Sequence, residues 1–149
     1  MLIPYNISHA FFPGADKVMN ARTLKVLIRN LIELNLVYLD EAPRLGHAVP
    51  PLYASGVVYD RTSWWEPIPA LYSRGFGDCK SLTAAWIAQQ RKRGVQCTDV
   101  HRWVENADGG TDYHILVYLG GSTFEDPSKR LGMGDVEVAK FFGPRSWGA

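Results

Sequence analysis

A chain of 149 residues has room for one domain with its own core and not for two ordinary ones. Its 46% hydrophobic and 21% charged composition is ordinary globular usage, which excludes a disordered tail or a fibrous repeat as the organising principle. Sixteen basic against fifteen acidic residues leave a formal charge of +1, so no electrostatic argument favours nucleic acid or an anionic membrane as partner.

Two cysteines are too few for a disulfide scaffold, and in a cytoplasm they are expected to stay reduced. Residues 1–8 lack the basic region and apolar stretch of a secretory signal, and no run of about 18 apolar residues occurs. The expectation is a cytoplasmic product with no membrane-spanning helix.

In chain order, Leu24, Leu27, Ile28, Leu31 and Ile32 form a stripe at helical spacing, predicting a helix over 20–39 with Asn20 as its N-cap. Pro43, Gly46, Pro50 and Pro51 then forbid a continuing helix or a central strand, so 42–53 is expected to be a surface loop or an ordered meander. Trp64, Trp65, Pro67 and Pro69 lead through Leu71 and Tyr72 to Gly75 and Gly77, punctuation that precedes a sharply defined helix start. A helix over 78–93 follows, stopped at Gly94, with Arg91, Lys92 and Arg93 as a solvated basic end at the negative pole of the dipole.

Beyond Gly94 the pattern becomes extended. A strand over 95–104, a turn at 108–110, a strand over 113–119, a hairpin at 120–121 and a strand over 122–126 make an antiparallel meander. Tyr113, Ile115, Val117 and Leu119 share one face of the second strand and His114, Leu116 and Tyr118 the other, so both faces are largely apolar and the strand should be central. The tail carries Val136, Val138, Phe141 and Phe142 and is consistent with either a short helix or an arm.

The chemistry in this order rests on Cys79, His114 and Asp126. Unpaired N–H groups and the positive dipole end of a helix stabilise a thiolate at its N-terminus, where Gly-Asp-Cys sets Cys79. A neighbouring imidazolium adds to that stabilisation and later hands a proton to the leaving group, a role for His114. A carboxylate beyond the 120–121 hairpin, Asp126, is placed to orient the imidazole through its other nitrogen. The backbone N–H of Cys79 is a candidate oxyanion donor, and Trp64 or Trp65 a candidate for an indole N–H on the substrate side.

These residues carry a resemblance. Gly77-Asp78-Cys79 with Leu82 and Ala85, then Tyr113-His114, then Glu125-Asp126-Pro127-Ser128 and Leu131-Gly132-Met133, resemble the transglutaminase-like branch of the papain-type cysteine enzymes, above all the small stand-alone versions of tailed bacteriophages. The likeness covers about half of the chain, 64–133, and leaves the N-terminal third unassigned. It implies an α+β fold, a transglutaminase-like or papain-like core with the cysteine at the N-terminus of a helix packed on an antiparallel sheet. It also implies Cys79 as nucleophile, His114 as general acid and base and Asp126 as orienting carboxylate, in a cofactor-free hydrolase or acyltransferase acting on peptide or carboxamide bonds. Lys80 departs from the pattern, because many relatives carry an acid there.

Other readings start from the same residues. Cys79, Cys97, His101 and His114 nominally offer four zinc ligands, but the spacing lacks a close cysteine pair, so no metal is expected. A Cys79–Cys97 disulfide is disfavoured by the compartment. The chief functional alternative is a phage virion or assembly protein that keeps the fold without using the triad, with phage structural proteins as partners and the virion rather than the host cytoplasm as its place. The proline-rich and aromatic N-terminal third motivates it. Cleavage of peptidoglycan cross-link amides is a third option that no cell-wall-binding repeat supports.

Overall fold

The structure is a computed structural model that describes residues 16–142 and the backbone of 147–148. Residues 1–8, on which the expectation of no secretory signal rests, lie outside that range.

The first helix, α1 (Lys17–Glu41), starts a turn earlier than the apolar stripe suggests. Its N-cap is Asp16 and not Asn20: the Asp16 carboxylate accepts from the Met19 N–H at 2.8 Å, satisfying one of the orphan donors of the first turn. Leu27, Ile28, Leu31 and Ile32 are buried as the stripe requires. Ile28, Leu31 and Ile32 pack with Ala84, Ile87, Ala88, Ile115 and Val117, so α1 covers both the cysteine helix and the sheet. Within the N-terminal third, α1 is thus part of the core.

The proline-rich stretch is an ordered meander. It runs through a short 3-10 turn, Leu52–Ala54, whose Leu52 N–H is held by Gln89 Oε1 at 2.9 Å. Leu52 and Val57 bury into a second cluster with Ile68, Leu71, Leu82 and Ala85.

Three elements there escape sequence reading. A two-residue strand β1 (Val58–Tyr59) pairs in parallel with β2 (Phe76–Gly77), and α2 (Ile68–Arg74) lies between them. Pro69 falls in the first turn of α2, where a missing N–H costs nothing. The buried side chain of Asn35 receives the Ile68 N–H at 2.7 Å, tying the start of α2 to α1.

The cysteine helix α3 (Cys79–Lys92) is capped by Asp78. Its basic end is not simply solvated: Arg91 donates twice to the Cys97 carbonyl and Lys92 pairs with Asp40. The strands β3 (Thr98–Glu105), β4 (Thr111–Gly120) and β5 (Thr123–Glu125) form the expected antiparallel meander, and β6 (Trp147–Gly148) joins β3. The order β5-β4-β3-β6 makes β4 central, and His114, Ile115, Leu116 and Val117 are all buried. The 95–97 end of the first expected strand belongs instead to the turn, where the Val95 N–H bonds Gln90 O.

Asp126 leaves the third strand and caps a short helix, α4 (Pro127–Arg130). The tail resolves into a helix, α5 (Asp135–Ala139), followed by a 3-10 turn, Lys140–Phe142. The fold is therefore α+β, helices packed on an antiparallel sheet, with Cys79 opening α3 against β4.

Candidate active site

The turn before Cys79 owes its shape to two glycines for two different reasons. Gly75 caps α2 at φ 85°, a conformation L side chains avoid. Gly77 has no such backbone requirement; a Cβ there would sit 2.6 Å from Leu71 Cδ1, in a fully buried side chain. Space, not rotation, requires glycine at that position.

Downstream of this turn, α3 begins with its first N–H groups free of intrahelical acceptors, and the half-buried thiol of Cys79 lies at that end. His114 comes from the central strand. Its Nε2 meets Asp126 Oδ2 at 2.7 Å, and the Cys79 side chain lies close enough to the ring to favour its protonated form. Cys79, His114 and Asp126, remote in sequence, are therefore brought together, with His114 and Asp126 hydrogen-bonded. Asp126 is held in turn, since its Oδ1 accepts the Lys129 N–H at 3.1 Å as the cap of α4. A carboxylate so fixed presents its second oxygen to the imidazole in one orientation.

Burial lowers the affinity of His114 for a proton, but the Asp126 hydrogen bond and the contact with Cys79 outweigh it and raise the pKa to about 9. The ring is an imidazolium at neutral pH. Phe141 stacks on it with ring centroids 5.1 Å apart, and His114 is 1% exposed. Tyr59 completes this side. Its backbone pairs with Gly77, its ring packs with Val138 and Phe141, and its hydroxyl donates to Glu137 at 3.2 Å. Burial, then the charges of Glu137 and Cys79, push the Tyr59 phenol above its ordinary value, so it remains a neutral O–H donor. Neither Tyr59 nor Phe141 stands out in the sequence, because an aromatic residue outside a periodic segment gives no sign of what it stacks on.

Lys80, the departure noted in the sequence, has a defined place. It is buried, donates to Thr62 O at 2.7 Å and pairs with Asp78, with Trp65 5.7 Å from its ammonium. Burial pushes the Asp78 carboxyl above the usual carboxylate range, against the pull of the Lys80 ammonium. Ser81 continues the attachment by receiving the Glu66 N–H at 3.1 Å and donating to Trp64 O at 3.3 Å. The first turn of α3 thus holds the 62–66 segment alongside the cysteine. Of the two tryptophans, Trp65 packs against the cluster that also receives Cys79, whereas Trp64 is exposed beneath the Arg74 guanidinium. No hydrogen bond from either indole occurs among the described residues.

The remaining candidates lie apart. Cys97 is a free thiol beside Arg91, and burial pushes it up despite that cation. His101 pairs with Asp99 at 2.7 Å inside the core, its Nδ1 without a hydrogen bond among the described residues. A second buried histidine–aspartate pair thus exists with no thiol, so the third member distinguishes the first. No group of three or more potential metal ligands occurs among the described residues. A cavity of about 550 Å³ reaches Asp126 from the side of Leu116, Phe124, Val138 and Phe142. No protein-family model matches the chain, and searches of curated proteins and of solved structures give no match either.

Proposed function

We propose that the chain is a transglutaminase-like cysteine hydrolase or acyltransferase, acting on peptide or carboxamide bonds through Cys79, His114 and Asp126. The observation that carries the proposal is the placement of one imidazole between a helix-terminal thiol and a capped carboxylate, 2.7 Å from the latter. The Cys79 thiol proton passes to His114, the resulting thiolate attacks the carbonyl carbon, and the backbone N–H of Cys79 receives the oxyanion. His114 gives its proton to the departing amine or ammonia as the thioester forms. It then takes a proton from water or an acceptor amine, whose attack releases the acyl group and leaves Cys79 as thiolate beside the reprotonated His114, ready for the next cycle. Asp126 holds the ring orientation through its Oδ2. Trp65, which packs on the same cluster as Cys79 with the Lys80 ammonium over its ring, is the better placed of the two tryptophans to border the substrate. No cofactor is needed for this cycle.

Intact-mass spectrometry after incubation with short glutamine-containing peptides or activated peptide esters tests the chemistry. A mass increase equal to the acyl group, removed by hydroxylamine and absent from Cys79→Ala, is expected; no adduct with any substrate contradicts it.

A second reading is favoured by the Phe141 ring, which covers His114 so fully that the imidazole has almost no exposed surface. On that reading the fold serves a phage virion or its assembly and the triad is a retained internal network. Stoichiometric copies in purified particles, with unimpaired assembly of Cys79→Ala, support it; absence from particles removes it.

A further inference from the structure

The side of α1 turned away from the core carries large exposed apolar side chains among its charged ones. Met19, Val26, Leu34 and Val37 are 44%, 54%, 58% and 62% exposed. At 100° per residue they fall within about 80° of arc, a strip along the outer face interspersed with Thr23, Asn30 and Glu41. Arg22, Arg29, Glu33 and Asp40 are exposed on one flank of that strip, within about 40° of each other. Arg22, Arg29 and Glu33 make no ion pair among the described residues, and Asp40 uses only its Oδ1 toward Lys92.

We infer that this face binds the same face of a second copy, with the two α1 helices antiparallel about a two-fold axis. The charge order selects that arrangement. Arg22 and Arg29 are separated by the same seven-residue interval, about 10.5 Å, as Glu33 and Asp40. In an antiparallel pair related by a two-fold, like flanks face each other. Arg22 then meets the second copy's Asp40 in the same register that brings Arg29 to the second copy's Glu33. That register also sets Val26 between Leu34 and Val37 of the other copy. A parallel pair about a two-fold sets this flank against the opposite flank instead, so these arginines and carboxylates do not meet. The small strip and exposed ion pairs imply a reversible dimer, not an obligate one. The inference does not depend on the chemistry proposed for Cys79.

Sedimentation equilibrium of the full chain over a wide concentration range tests it. A monomer–dimer equilibrium is expected. Arg29→Glu and Glu33→Arg should each weaken it by about tenfold, since each reverses two symmetry-related pairs. Arg29→Glu/Glu33→Arg in one chain should restore it, because the pairs reform with signs exchanged. All these positions are exposed, and unchanged circular dichroism checks that the fold is intact. A monomer at every concentration, as when residues 1–15 or an unrelated partner cover the strip, overturns the inference. So does a dimer indifferent to both reversals, or a double variant no better than the singles.

Discussion

His114 is stabilised in its charged form by neighbours that burial alone would not offset. Its folded-state pKa of about 9 lies above the ordinary 6.5, so protonation favours the folded chain. That contribution is complete below about pH 6.5 and is lost as pH rises through about 9. Thermal melts between pH 6 and 10 should therefore show stability declining over that window, and Asp126→Asn should begin the decline at lower pH. A flat profile in the parent chain contradicts the assignment. Cys79, His114 and Asp126 were legible from the sequence because residue type, chain order and the hairpin at 120–121 all restrict the same chemistry. Phe141 and Tyr59 were not, since stacking partners depend on how the tail returns across the sheet.

At the scale of elements, helix periodicity made α1 and α3 readable, and alternation with glycine turns did so for β3, β4 and β5. By contrast, β1 and β2 have two residues each and carry no period, while α2 has seven residues and begins on prolines that resemble a breaker. These short pieces shape the entrance to α3. Gly77→Ala should destabilise the chain by about 2 kcal/mol in urea unfolding, because the added methyl must displace the buried Leu71; an unchanged midpoint means the turn can relax. Lys80→Met leaves the Asp78 carboxyl buried without its cation and frees the 62–66 segment. A loss of about 3 kcal/mol is expected in the same measurement, and a neutral effect denies Lys80 its role as an anchor.

Across the whole molecule, α1 and α3 cover one side of the central strand and the α5 turn closes over His114, so the candidate site lies where helix tip, sheet and tail converge. Convergence of this kind depends on tertiary packing, which is why the position of β4 was readable and the cover over its histidine was not. The two thiols supply an internal comparison: Cys79 meets an imidazolium at a helix N-terminus, whereas Cys97 lies in a turn where burial raises its pKa. The most direct test of an activated Cys79 is the rate of iodoacetamide labelling at the two cysteines, followed by peptide mass spectrometry at pH 6. Cys79 is expected to react by far the faster, and His114→Ala to abolish the difference. Equal, slow labelling of both thiols in the parent chain would contradict it.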